Sequence, residues 1–337
     1  MQVLVSCDFL IAPASCTDAE IGILVESLIA IKRDLENESS SVLIEDDAIN
    51  KLSAQNLFPS AQAFNSNLAS MGNTDYSGRD IARTVNNILS MHLNKEIAPP
   101  YCVADWTNRS LNPNVTGRNM VRTSELNEMF EEVSLAMKIH QRSISFLHHP
   151  VAPGAANIEF NGTVESLEPI GTQTIPFDVS VNIPLYQSYK DYLLGLDAYK
   201  LYEAAVSDYE LKLAIFVGAL TALRDRGHHT DLDVWQTFTL GPRFIESLKS
   251  HQCYGTQNFA STCFDVLRHV VARLEKYENS PFCTGADRGK QIVRNGQLAW
   301  RTHVTKGMQA LRLMSWTTSD GSIELANVGN KNALEIF

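Results

Sequence analysis

The hydrophobic pattern divides the chain into alternating short apolar runs and longer amphipathic stretches. Gln2 to Ser6 reads as a buried strand. Thr17-Asp18-Ala19-Glu20 is a capping box, and Ile21, Leu24, Val25, Leu28, Ile29 and Ile31 recur behind it at helical spacing. Ser41 to Ile44 predicts a second strand and Gly78 to Leu93 a helix with Ile81, Val85, Ile88 and Leu89 on one face. Ala98-Pro99-Pro100 stops that helix before a strand around Tyr101 to Ala104. Ser124 to Ile139 predicts an amphipathic helix and Ser143 to Leu147 a strand. Asn161-Gly162, flanked by alternating residues, predicts a type I′ hairpin, and Phe177 to Ile183 a further strand. Pro184 then opens a long helical stretch to about Leu223, broken by Gly227-His228-His229-Thr230-Asp231. That break places the expected domain boundary between 231 and 232.

Beyond it, Val234 to Leu240 alternates like an edge strand, and Gly241-Pro242 turns the chain. Phe244, Ile245 and Leu248, then Val266, Leu267, Val270, Val271 and Leu274, mark two amphipathic helices, the second ended by Ser280-Pro281. Three strand-like runs follow: 298–304, 310–316 and 322–328, the last two joined by Ser319-Asp320-Gly321. The whole reads as an α/β (α+β) protein: a mixed α/β region over 1–231, then a small domain over 232–337 built as strand, two helices and an antiparallel sheet.

Composition sharpens this picture. The 337 residues are 44% hydrophobic and 20% charged, which excludes a disordered chain or a coiled coil. The net charge is −10, so a uniformly basic nucleic-acid-binding surface is excluded too. The charge is uneven: residues 232–337 carry 12 Lys/Arg against 9 Asp/Glu, while the first 231 carry 16 against 29. No apolar run approaches the ~20 residues a bilayer span needs, so no membrane partner is expected. Six scattered cysteines without a Cys-x-x-Cys pair, and a start lacking a positively charged leader, predict a reducing, cytoplasmic setting.

The order of elements in the last third, with several local strings, resembles the RelE/ParE toxin superfamily of small ribonucleases and gyrase poisons. The strings are Phe238-Thr239-Leu240-Gly241-Pro242-Arg243-Phe244, Leu274 to Pro281, Trp300-Arg301-Thr302-His303-Val304, Ala310 to Trp316, and Val328-Gly329-Asn330-Lys331-Asn332 with the closing Glu335-Ile336-Phe337. The resemblance covers about 105 residues. It implies a metal-independent, cofactor-free endoribonuclease, with RNA or the ribosome as target and a protein partner in a toxin or anti-phage defence complex. The acidic region, residues 1–231, would then sense, dock or restrain it.

Cleavage of RNA by its own 2′-hydroxyl needs a base, an acid and cations at the phosphate. On the resemblance, His303 is the acid or base, Arg301 and Arg312 hold the phosphate, and Lys331 stabilises developing charge. Arg288, Lys290, Arg294 and Lys306 are candidate RNA-backbone contacts. Where many catalytic relatives carry a tyrosine near the C-terminus this chain has Phe337, so the alternative is a non-catalytic interaction subunit of a larger assembly. A rival constellation lies in the first region: Asp8, Glu45-Asp46-Asp47 and Asp105 sit at predicted strand ends, where metal-dependent nucleases gather Mg²⁺ ligands. The pairs His148-His149 and His228-His229 read as loop histidines, and no phosphate-binding loop or Gly-x-Ser-x-Gly elbow is present.

Overall fold

The computed structural model describes residues 2–37, 41–92, 103–152, 154–168, 173–274, 276–283, 289–307 and 309–337. It is an α/β protein with two mixed six-stranded sheets, and it divides into two compact units, residues 1–192 and 193–337. Among the described residues no helix is long and apolar enough to cross a membrane.

The first unit runs β1 (Gln2–Val5), α1 (Cys7–Leu10), α2 (Asp18–Glu36), β2 (Val42–Ile44), α3 (Ala48–Ala54), α4 (Ala61–Met71), α5 (Gly78–His92), β3 (Val103–Asn112), α6 (Met120–His140), β4 (Ile144–Leu147), β5 (Asn157–Glu168) and β6 (Phe177–Tyr186). Its strand order is β2-β1-β4-β6-β5-β3. The first four are mutually parallel, whereas β5 and β3 join antiparallel. Val3, Leu4, Val5 and all of β4 are buried, as strands covered on both faces must be. The antiparallel half alternates instead, and its inward residues Ile158, Phe160, Val164, Val179 and Ile183 share a core with Leu126, Phe130 and Val133 of α6. The capping box starts α2 as expected: the Glu20 carboxylate accepts from the Thr17 amide at 2.8 Å.

The second unit follows α7 (Tyr189–Leu194), within which the division falls, with α8 (Ala198–Ala204), α9 (Asp208–Asp225), β7 (Phe238–Leu240), α10 (Phe244–Ser250), α11 (Ala260–Val271), β8 (Asn279–Pro281), β9 (Val293–Arg294), β10 (Gln297–His303), β11 (Leu311–Thr317) and β12 (Ile323–Asn330). The strand order is β7-β12-β11-β10-β8, with β9 also on β10; β7 lies parallel to β12 and the other pairs are antiparallel.

Four expectations change. The boundary falls at 192/193 rather than 231/232. Gly218 of α9 crosses α11 so closely that a Cβ there would sit 2.7 Å from Phe264 Cζ, which ties α9 to the second unit. The stretch from 186 to 223 is three helices, not one. Asn161-Gly162 is no turn: both residues lie inside β5, where Gly162 makes room for the Trp106 ring. Residues 232–237 form a 3₁₀ turn capped by the Asp231 side chain, leaving only 238–240 as strand. The predicted helix stop at Ala98-Pro99-Pro100 and the start of the third strand at Tyr101 lie outside the described residues.

Candidate functional site

In an antiparallel pair, directly opposed residues share a face. Strands β10 and β11 pair His303 with Arg312, Arg301 with Met314 and Ala299 with Trp316. One face of this sheet therefore carries Arg301, His303 and Arg312 beside an apolar patch of Phe282, Ala299, Met314, Trp316 and Ala326. The intervening residues Trp300 and Ser315 turn to the other face, toward the end of α11.

Arg312 is 4% exposed. Its Nη1 donates to the carbonyls of Thr305 (3.1 Å) and Leu311 (2.9 Å). No carboxylate among the described residues pairs with it. Burial, then the charge of Arg301, pull its pKa below the ordinary arginine value. Arg301 is half-buried over the Phe282 ring, 5.2 Å from its centroid, and donates to the Lys331 carbonyl at 3.4 Å. His303 is half-buried, and its Nδ1 is buried with no hydrogen-bond partner among the described residues. Burial, then the charges of Arg312, Lys306 and Arg301, lower its pKa against an opposing pull from Glu278. That shift favours the neutral imidazole, the form a general base requires.

The predicted residues fall into three groups. The fold brings Arg301, His303 and Arg312 together, and the exposed Lys306 is near enough to bias His303. Lys331 is exposed and lines a separate polar cleft of about 630 Å³ with His251 and Gln309; it meets the cluster through its carbonyl alone. Lys290 is exposed in the loop before β9, and Arg288 lies outside the described residues. Arg294 is not a free cation: it donates to Glu324 (2.7 Å) and Gln297 (2.8 and 3.0 Å) and lies 4.4 Å from the Trp316 ring centroid.

No protein-family model, curated protein or solved structure matches this chain.

Sequence reasoning missed Glu278, because Ser280-Pro281 reads as a helix stop while Asn279–Pro281 forms edge strand β8. It also missed the path of the C-terminal segment. Trp316 Nε1 donates to the Phe337 carbonyl at 3.0 Å, the Phe337 amide donates to Asn327 Oδ1 at 3.2 Å, and Ala333 and Ile336 pack on the apolar patch. The Phe337 ring lies under the Arg243 guanidinium.

The acidic constellation of the first unit is resolved differently from the metal-site expectation. Asp8 and Glu45 do converge at the ends of β1 and β2, but on Arg122 of α6. Arg122 Nε and Nη2 bind Asp8 Oδ2 at 3.0 and 2.8 Å, and Nη1 and Nη2 bind Glu45 at 2.8 and 2.7 Å. Glu125 also receives Nη1. All three central side chains are fully buried. Burial alone would raise Glu45; the Arg122 hydrogen bonds and charge, with Lys51 and the Cys7 amide, bring it down to about 2. Asp105 lies on β3 with three strands between it and β1, hydrogen-bonded to Ser166. Among the described residues no three His, Cys, Asp or Glu side chains are placed to share a metal ion. His148 is buried, with Nδ1 2.9 Å from Ser6 Oγ and Nε2 3.2 Å from the Thr116 carbonyl, while His149 faces Glu20.

Proposed function

We propose that residues 232–337, within the second unit, form a RelE-type, metal-independent endoribonuclease acting on RNA, free or on the ribosome, in a cytoplasmic stress or anti-phage defence role. The acidic first region docks or restrains it. The observation that carries this reading is the cross-strand pair His303–Arg312 with Arg301 beside it: an imidazole shifted toward its neutral form among cations that, among the described residues, no carboxylate pairs with. A phosphodiester supplies the missing charge. His303 takes the 2′-hydroxyl proton, the 2′-oxygen attacks phosphorus, and the 5′-oxygen leaves with a proton from water. Arg301 and Arg312 hold the phosphate oxygens as charge grows on them, a role suited to the guanidinium fork.

The test is incubation of the full chain with labelled RNA, free and ribosome-bound, in EDTA. The reading expects fragments ending in 2′,3′-cyclic phosphate and 5′-hydroxyl, with His303→Gln slowing cleavage about a hundredfold or more. Absence of cleavage on both RNA forms, or products with 5′-phosphate, rejects it.

One observation favours the second reading, a non-catalytic interaction subunit. Residues 331–337 lie along the same sheet face through Trp316, Asn327 and Arg301, and Phe337 has no hydroxyl to exchange a proton. RNA binding without cleavage supports that reading.

A further inference from the structure

Glu278 stands one residue before β8, and the strand pairing brings it beside His303. The β8–β10 register sets Trp300 against Pro281, Arg301 against Ser280 and Thr302 against Asn279, so its next step sets His303 against Glu278. Alternation then puts Glu278 and Ser280 on the face of Arg301 and His303, and Asn279 with Thr302 on the other. Side-chain hydrogen bonds follow the same division. Ser280 Oγ donates to Glu278 Oε1 at 3.3 Å, and Thr302 Oγ1 donates to Asn279 Oδ1 at 2.9 Å.

Opposed residues therefore run in a row across the sheet: Glu278, His303 and Arg312. A carboxylate stands at one end, a guanidinium at the other and the imidazole between them. Burial, then Arg312 on β11 and Lys306 in the turn after β10, lower the His303 pKa; Glu278 raises it, and Arg301 on the same strand lowers it. Among these groups Glu278 alone is negative.

We propose that Glu278 is a positioning residue for RNA cleavage on this face: its carboxylate answers the charge that His303 acquires on taking the 2′-hydroxyl proton. The inference rests on the ribonuclease reading and deepens it. As the proton passes from oxygen to the imidazole, a new cation forms beside Arg301, Arg312 and Lys306. Like charges oppose that step, and a carboxylate across the strand pair offsets part of the repulsion. The polarised row also orients the substrate, with the phosphate at the guanidinium end and the ribose hydroxyl toward the carboxylate end. After the 5′-oxygen leaves, the imidazolium gives its proton to water and the chain is restored. Glu278 forms no bond to RNA; it acts through His303, and it sets the pH range in which His303 serves as a base.

The test compares the full chain with Glu278→Gln and Glu278→Asp, both at an exposed position. Histidine Cε1–H titration by NMR reads His303, whose resonance is assigned by its loss in His303→Gln. Glu278→Gln lowers the His303 pKa by about half a pH unit, and Glu278→Asp restores most of it. In RNA cleavage, Glu278→Gln lowers the plateau rate about tenfold with KM nearly unchanged, and moves the acid limb of the pH–rate profile down by the same amount. Glu278→Asp recovers most of the rate. A merely structural role would slow cleavage without moving that limb. An unmoved His303 titration in Glu278→Gln overturns the proposal, and so does a plateau rate within about twofold of wild type. If the titration moves as expected but the wild-type chain cleaves no RNA, the coupling of Glu278 to His303 is supported and the ribonuclease reading is what fails.

Discussion

Arg122 and Arg312 are both buried arginines near strand ends, and the two units treat them in opposite ways. In the first unit Arg122 is enclosed by Asp8, Glu45 and Glu125, with Lys51 also on Glu45, so its charge is answered within the protein. In the second unit Arg312 is capped, among the described residues, only by two backbone carbonyls and faces the further positive charge of Arg301. A closed network is a structural device: its members leave no charge for a ligand. An uncompensated one is held at a cost that an incoming anion relieves. Residue type alone does not separate function from scaffold; the accounting of partners does.

The strongest way to break this comparison is to remove each arginine. Arg122→Ala leaves Asp8 and Glu45 buried without their counter-charge, and the expected loss is about 3–5 kcal/mol from the first unit. Arg312→Ala strands no carboxylate, and the expected loss is about 1–2 kcal/mol. Hydrogen exchange followed by mass spectrometry reads each unit separately. Equal losses would show that the carboxylates around Arg122 contribute nothing special.

Acid sharpens the same contrast. Glu45 is held down to about 2 in the folded chain against an ordinary 4.5. The unfolded chain therefore binds the proton first, and the stabilisation, about 3 kcal/mol, is complete above pH 4.5 and disappears as pH falls toward 2. His303 also has a lowered folded pKa, but as a base. Its unfolded form takes the proton first, so the second unit loses stability once pH drops below the ordinary histidine range, well before Glu45 responds. An oligonucleotide with a non-cleavable phosphate at the site should raise the His303 pKa and reverse that early loss. Histidine Cε1–H titration by NMR, with and without the oligonucleotide, checks this.

What was legible in the sequence follows from the range of the interactions. Strands β10, β11 and β12 were readable to within two residues because alternation is a local signal, and it correctly put Arg301 and His303 on one face. The Arg122 network was not readable: its partners Asp8 and Glu45 lie 114 and 77 residues away, and an arginine in an amphipathic helix looks solvated. Asn161-Gly162 misled because Gly162 serves the packing of Trp106 rather than a turn. The 192/193 division was hidden because the apolar spacing of 186–223 does not register which unit its helices join.

The smallest expected effect concerns Arg294, a predicted RNA contact whose guanidinium is already engaged. Its pair with Glu324 is partly exposed, with side chains 34% and 21% accessible, so Arg294→Ala should cost under about 1 kcal/mol. Because Glu324, Gln297 and the Trp316 ring already occupy it, RNA affinity should stay within about twofold of wild type. Lys306→Ala removes an exposed cation that has no such partners among the described residues, and should weaken RNA binding several-fold and flatten its salt dependence by about one charge. Both substitutions delete one positive charge from the same unit, so net charge cannot tell them apart. If Arg294→Ala weakens binding as much as Lys306→Ala at the same ionic strength, the presence of an internal partner does not decide which cations meet RNA, and the contrast between the two buried arginines loses its functional meaning.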